Sequence, residues 1–158
     1  MTECVLRLIT DGACRGNPGP GAWGAWLRQG GHERVLWGYA PQTTNNRMEL
    51  GAALHGLEAL KRPSSLVVRS DSQYLIKGMT EWLAGWQKRG WRAAGGAAVK
   101  NMELWQGLAQ LARTHQLRWE WVRGHSGDAE NEAVDALINR VLDRFAGNPQ
   151  EQCGEGWL

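Results

Sequence analysis

The order of strand and helix patterns along the chain is the feature that most constrains its fold. Three short apolar runs come first, and they are followed by a helix pattern, a strand, further helix patterns, a strand and a last helix. The five strand patterns occupy residues 4–10, 22–27, 35–39, 65–70 and 117–123. A hairpin region that leads into alternating helices and strands predicts one α/β domain, with helices packed on the faces of a mixed sheet.

The helix patterns depend on the spacing of apolar residues. Leu50, Leu54 and Leu57 share one face of a helix that we expect to run from Asn46 to about Lys61. The other helix patterns lie at residues 72–78, 80–86, 101–115 and 129–145. Because periodic residues become sparse near the end, we expect one domain over residues 1–146 and a loosely ordered tail over residues 147–158.

Composition excludes several classes of protein. A chain of 158 residues is long enough to bury a core without cross-links. Its three cysteines, Cys4, Cys14 and Cys153, are odd in number and widely spaced, which argues against a disulfide framework and a structural zinc site. No apolar run has the length of a membrane span, and no signal-peptide or coiled-coil pattern occurs. We therefore expect a cytoplasmic monomer without a membrane partner.

Four acidic residues stand at or near the ends of predicted elements. Asp11 ends the first strand, Asp71 ends the fourth, Glu49 lies in the first turn of a helix, and Asp135 lies in the first half of the last helix. If the first and fourth strands are parallel neighbours, Asp11 and Asp71 emerge at one edge of the sheet. Clustered carboxylates raise one another's pKa, and a hard divalent cation such as Mg²⁺ or Mn²⁺ relieves that conflict.

Each acid also has a purely structural interpretation. An Asp before a Gly is common in turns, as at Asp11, and Asp135 has the position of an ordinary charge on a helix surface. Asn46 and Glu49 have the spacing of a capping box, in which the glutamate only caps its helix. The acids alone leave these alternatives open.

Five blocks in the chain resemble, in order, the signature motifs of bacterial-type, type 1 ribonuclease H. The blocks read TDGACRGNPGPG at residues 10–21, TTNNRME at 43–49, SDSQY at 70–74, GHSG at 124–127 and ENEAVD at 130–135. Ordered multi-residue blocks are far more specific than any single motif. The resemblance implies a ribonuclease H-like mixed sheet of five strands, three antiparallel and then two parallel, with helices on both faces.

The resemblance also implies a reaction. It is the endonucleolytic hydrolysis of the RNA strand of an RNA–DNA hybrid, which leaves 5′-phosphate and 3′-hydroxyl ends. Asp11 would bridge two Mg²⁺ ions, Glu49 and Asp71 would hold the ion near the leaving oxygen, and Asp135 would hold the ion that activates water. His125, between two flexible positions, would shuttle protons or aid product release.

Further residues match family positions along the substrate. Those near the minor groove of the hybrid are Gly12, Cys14, Asn17, Asn45, Asn46 and Gln73. Thr44 and Asn101 resemble a pocket for a phosphate of the DNA strand. Short polar groups of this kind suit the recognition of 2′-hydroxyls and phosphates.

A basic protrusion is expected at about residues 80–100. Residues 77–100 carry five basic side chains against one acid, more than the whole net charge of +2. Lys88 and Arg89 would neutralise phosphates, and Trp82 stands at the DNA-facing position. Trp86 and Trp91 are expected to pack a small core within the protrusion. Residues 92–98, RAAGGAA, are less basic than in many family members, so we expect weaker, salt-sensitive substrate binding.

Two other functions remain open at this stage. One is a different metal-dependent nuclease of the same fold that acts on DNA. The other is a non-catalytic module that binds hybrids, although such a module is expected to lack at least one acid, and all four are present.

Overall fold

In the computed structural model of the protein, which describes residues 5–124 and 126–158, a mixed sheet carries helices on both faces. Its strands are β1 (Leu6–Cys14), β2 (Gly19–Gln29), β3 (His32–Thr43), β4 (Ser65–Ser70), β5 (Gln116–Trp121) and β6 (Gln152–Glu155). The helices are α1 (Asn45–Glu58), α2 (Gln73–Lys77), α3 (Leu83–Lys88), α4 (Met102–Thr114) and α5 (Ala129–Phe145).

The strands lie in the order β5-β4-β1-β2-β3-β6. The three N-terminal strands are antiparallel, whereas β4 runs parallel to both β1 and β5. This arrangement confirms the predicted mixed sheet, including the parallel pairing of the first and fourth strands.

Alternate residues of the sheet feed two separate cores. Leu8 packs on one face with residues of α1 and α4, and Ile9 packs on the other face with residues of α5. Both side chains are fully buried, as the period of two residues in a strand requires when helices cover both faces. Within the described part of the chain, the helices lack the length and apolar character needed to cross a membrane.

The C-terminal tail was expected to be loosely ordered, but it contains a sixth strand, β6. The predicted count of five strands was therefore one too low. β6 pairs antiparallel with β3 and places Gly154 opposite Trp37. A Cβ at Gly154 would lie 2.8 Å from Cε2 of Trp37, so only glycine lets the strand cross this ring. The strand is held by main-chain hydrogen bonds and depends on one glycine. Neither feature gives the alternation of apolar and polar residues from which strands are predicted, so the sequence did not indicate β6.

Two boundaries near the first acid also differ from the prediction. β1 continues to Cys14, so Asp11 lies inside the strand rather than at its end. β2 begins at Gly19, within the segment expected to be a loop, because Gly19 pairs with Thr43 of β3 and Gly21 pairs with Cys14 of β1.

The residues of the predicted protrusion pack against the main hydrophobic core. One π-helical turn, Gly78–Trp82, joins α2 to α3, and the stretch beyond α3 contains only an isolated bridge between Arg92 and Ala98. Trp86 and Trp91 pack against the core cluster on the α1–α4 face. The expectation of a separate small core was therefore wrong, because the indole of Trp105 extends beneath α3 and meets Trp86 at 5.1 Å between ring centroids.

Candidate active site

Three of the four predicted acids meet at one point of the sheet. Asp11, Glu49 and Asp71 each place a carboxylate oxygen within 4.8 Å of the others. The parallel pairing of β1 and β4 puts Thr10 beside Ser70, so the residues that follow, Asp11 and Asp71, stand next to each other.

Glycine at position 12 lets α1 bring Glu49 to this point. A Cβ on Gly12 would lie 2.6 Å from the backbone nitrogen of Glu49, closer than real contacts allow. The helix begins after Thr44, whose hydroxyl accepts a hydrogen bond from the N–H of Arg47 at 3.2 Å. Glu49 therefore lies in the second turn of α1 rather than the first, and the interpretation of Glu49 as a capping residue is wrong.

Burial makes the acidic cluster electrostatically unfavourable. Asp11 is 5% exposed, and burial, with the charges of Asp71 and Asp135, raises its pKa from 3.8 to about 8. Burial, followed by the charges of Asp11 and Asp71, also raises the pKa of Glu49 well above its usual value. The N–H of Gly12 donates to Oδ1 of Asp11 at 2.9 Å, and this hydrogen bond stabilises the charged form of the carboxylate.

Asp135 lies beside the cluster rather than within it. It projects from α5, close enough for its charge to raise the pKa of Asp11, but it is not one of the three acids that share the 4.8 Å grouping. The structure thus brings Asp11, Glu49 and Asp71 into direct proximity and places Asp135 near Asp11.

The cluster fits a divalent cation. Its donors are all carboxylate oxygens, which are the ligands that Mg²⁺ and Mn²⁺ prefer. Oε1 of Glu49 is buried and has no hydrogen-bond partner among the described residues. A buried, unpaired carboxylate oxygen is costly, and a bound cation would satisfy it.

Trp121 bonds Asp71, and Gly124 lies close to it. The indole N–H of Trp121 donates to the main-chain carbonyl of Asp71 at 3.1 Å. A Cβ on Gly124 would come within 2.9 Å of Oδ2 of Asp71, so the loop passes directly over this carboxylate. Trp121 was not predicted as a site residue, because strand alternation does not reveal the target of an indole N–H. His125 falls outside the described residues.

Three of the six residues predicted to lie near the minor groove, Cys14, Asn17 and Asn45, form a connected polar network. The N–H of Cys14 donates to Oδ1 of Asn45 at 2.7 Å, and the N–H of Asn45 donates to Oδ1 of Asn17 at 3.2 Å. These bonds join the turn between β1 and β2 to the start of α1. Asn46 and Gln73 are exposed in the first turns of α1 and α2.

Arg47 connects the two residues of the predicted phosphate pocket. Its main chain bonds the Thr44 hydroxyl, and its guanidinium donates to Oδ1 of Asn101 at 3.1 Å. Asn101 has a left-handed backbone conformation and donates from Nδ2 to the Tyr74 hydroxyl at 3.2 Å. Arg47 was not predicted as a site residue. The sequence signal for it is a basic residue three positions after Thr44.

The basic and aromatic residues of the protrusion are on the surface. Trp82 is 36% exposed and meets Tyr74 at 6.0 Å between ring centroids. Lys88 and Arg89 are exposed at the end of α3. A separate cavity of about 870 Å³ lies between α1 and the β3–β6 edge, lined by residues that include Trp23, His55 and Cys153. The acids therefore lie outside this cavity, which is lined by other residues.

Comparison with known proteins gives the class of protein. The family model described as RNase H matches residues 4–143. A Ribonuclease H of Acidithiobacillus ferrooxidans is 67% identical over 158 residues, the full length of both chains. A Ribonuclease H of Halorhodospira halophila is 60% identical over 147 residues, which cover 92% of this chain and 99% of that relative.

Solved structures agree with this class. LC9-RNase H1, a type 1 RNase H with the type 2 active-site motif, superposes with a TM-score of 0.79 at 31% identity, covering 100% of this chain and 79% of that chain. A foamy viral protease-reverse transcriptase in complex with RNA/DNA hybrid has a TM-score of 0.64 at 16% identity, covers 87% of this chain and 20% of that chain, and shows the fold alone.

The fold and the acidic cluster are those of a hydrolytic nuclease. The chain belongs to the ribonuclease H family, and it is an endoribonuclease.

Proposed function

We propose that this chain hydrolyses the RNA strand of RNA–DNA hybrids at the Asp11 cluster and leaves 5′-phosphate and 3′-hydroxyl ends. The observation that carries the proposal is the grouping of three carboxylates within 4.8 Å, where Glu49 keeps a buried oxygen without a hydrogen-bond partner among the described residues. The names of the relatives and the family match support the same activity.

The four acids would hold two Mg²⁺ ions, or Mn²⁺ in their place. Asp11 would contact both ions, Glu49 and Asp71 would hold one, and Asp135 would hold the other. When bound, the ions neutralise charge on the phosphodiester and make water a better nucleophile. The chain itself holds these residues through the N–H of Gly12, which donates to the Asp11 carboxylate, and the indole of Trp121, which donates to the main-chain carbonyl of Asp71.

Two surfaces would recognise the two strands. The Cys14–Asn17–Asn45 network presents short polar groups and main-chain amides, which suit 2′-hydroxyls in a minor groove. Arg47, with Thr44 and Asn101, offers a charged and polar pocket for a phosphate of the DNA strand. Trp82, Lys88 and Arg89 would extend that contact along the DNA strand.

His125 would assist proton transfer or product release. The resemblance of its sequence block supports this role, as does its neighbour Gly124, which lies against the Asp71 carboxylate. Because the acids and their ions supply most of the catalysis, we expect His125→Ala to slow turnover markedly without abolishing it, as single-turnover kinetics would show.

The test is a strand-labelled RNA–DNA hybrid incubated with the protein and Mg²⁺, beside matched double-stranded RNA and double-stranded DNA. We expect cuts in the RNA strand of the hybrid alone, with end groups mapped by phosphatase and ligase sensitivity. Cleavage of duplex DNA would indicate a DNA nuclease of the same fold. Binding of the hybrid without any cleavage would indicate a non-catalytic module.

A further inference from the structure

Arg69 connects three elements around the active site. It lies on β4, two residues before Asp71, and its side chain is only 16% exposed. Its Nε donates to Glu120 of β5 at 2.8 Å, its Nη2 donates to Asp128 at 2.9 Å, and its Nη1 donates to Glu130 at 2.7 Å. The guanidinium fork is thus engaged along all three of its nitrogens by charge-assisted hydrogen bonds.

Two of these partners form the start of α5. Asp128 is the N-cap of the helix, and its Oδ1 accepts from the N–H of Asn131 at 2.9 Å while its Oδ2 accepts from Arg69. Glu130, in the first turn, is 13% exposed and also accepts from Arg28 of β2 and Arg7 of β1, each at 2.7 Å. Three strands of the sheet therefore hold one end of one helix.

That helix carries the fourth acid. Asp135 follows Asp128 by seven residues, about 10 Å along the axis of an α-helix, and it faces Asp11 closely enough to alter the pKa of that residue. Because a helix moves as a rigid rod over this length, a shift of its first turn shifts Asp135 by a similar amount. A displacement of about 1 Å at a reacting centre is enough to cost on the order of 100-fold in rate.

We propose that Arg69 is a positioning residue for the metal site, because it ties the strand that ends beside Asp71 to the helix that carries Asp135 and so sets the separation of the two acids. The inference rests on the proposed function, in which these acids hold divalent cations. Groups that orient metal ligands without touching the metal commonly control its affinity by about 10- to 100-fold.

The test measures Mg²⁺ binding by the folded, substrate-free protein, using calorimetry, together with the Mg²⁺ dependence of hybrid cleavage. For Arg69→Ala we expect the half-saturating Mg²⁺ concentration to rise by roughly 10-fold or more. We expect excess Mg²⁺ to restore much of kcat and the KM for hybrid at saturating Mg²⁺ to stay unchanged. Arg34→Ala is the matched control, because it removes an ion pair with Glu155 at the far edge of the sheet. It should leave both readouts at their wild-type values.

A second variant separates positioning from helix capping. In Asp128→Asn the new side chain can still cap α5, since Asn and Asp are similarly good N-caps, but it weakens the bond to Arg69. We expect a smaller rise in half-saturating Mg²⁺ in the same direction, and this variant decides the question if Arg69→Ala does not fold. Wild-type Mg²⁺ affinity in the folded variants would overturn the inference and leave the proposed function intact. Failure of the wild-type protein to bind Mg²⁺ and cleave hybrid would instead refute the proposed function.

Discussion

The backbone nitrogen of Glu49 occupies the space that a side chain on Gly12 would need, 2.6 Å from the ideal Cβ position. This contact brings α1 against β1 and places the Glu49 carboxyl next to Asp11. The absence of a side chain at position 12 thus lets two acids that are far apart in the sequence meet in the structure.

Replacement of Gly12 by alanine should therefore damage both stability and activity. The added methyl group meets backbone atoms of Met48 and Glu49, which cannot rotate away, and such overpacking costs about 1–3 kcal/mol. We expect a lower free energy of unfolding in urea and a lower kcat on hybrid. Gly31→Ala is the control, because nothing lies within 4 Å of its Cβ position. A Gly12→Ala protein as stable and as active as the wild type would show that α1 tolerates displacement.

The metal-free protein should lose stability as pH rises, and Asp11 should be one cause. Its pKa is raised from 3.8 to about 8 in the folded state by burial and by Asp71 and Asp135. A folded state that holds the proton more tightly is favoured at low pH. The contribution of this group is fully present below pH 3.8 and is lost as pH rises through about 8.

The Asp11→Asn protein should consequently be more stable than the wild type at pH 8 without metal, with a smaller difference at pH 4. Thermal unfolding in a chelating buffer across this range measures the difference in Tm. Addition of Mg²⁺ should stabilise the wild type and have little effect on the variant. A pH-independent difference in Tm would contradict the raised pKa of Asp11.

Substrate binding through the end of α3 should depend on salt. Lys88 and Arg89 are exposed and carry charge that neutralises phosphates, so KM should rise between about 50 and 200 mM NaCl. Alanine at either position should raise KM and reduce the slope of log KM against log salt by roughly 1, with little change in kcat. Arg140→Ala removes the same charge from the exposed surface of α5 and should leave the slope unchanged. If all three variants had the same slope of log KM against log salt, α3 would not be part of the substrate interface.

The sequence was sufficient to predict those parts of the fold that depend on local patterns. Leu50 and Leu57 lie in the buried face of α1 as their spacing predicts, and β1 and β4 are the parallel neighbours on which the meeting of Asp11 and Asp71 depended. The helical stretch around Trp82 was likewise predicted, because helix periodicity is a property of a few consecutive residues.

Features that depend on distant partners could not be predicted. The edge strand needs glycine at position 154 because the ring of Trp37 lies against it, and Arg69 bonds Asp128 and Glu130 about 60 residues further along the chain. Thr44 caps α1 in place of Asn46, so the cap lies two residues earlier than the capping-box spacing indicates. The partners of Gly154 and Arg69 are far away in the sequence, so no local pattern indicates them.

The most direct measurement of the central claim is the turnover of purified, folded Asp11→Asn protein on RNA–DNA hybrid at saturating Mg²⁺, beside the wild type. Loss of the carboxylate shared by both proposed ions should remove several kcal/mol of catalysis, a decrease of about 1,000-fold or more in kcat. Substantial Mg²⁺-dependent cleavage by this variant would contradict the account, because the reaction would then proceed without the residue at its centre.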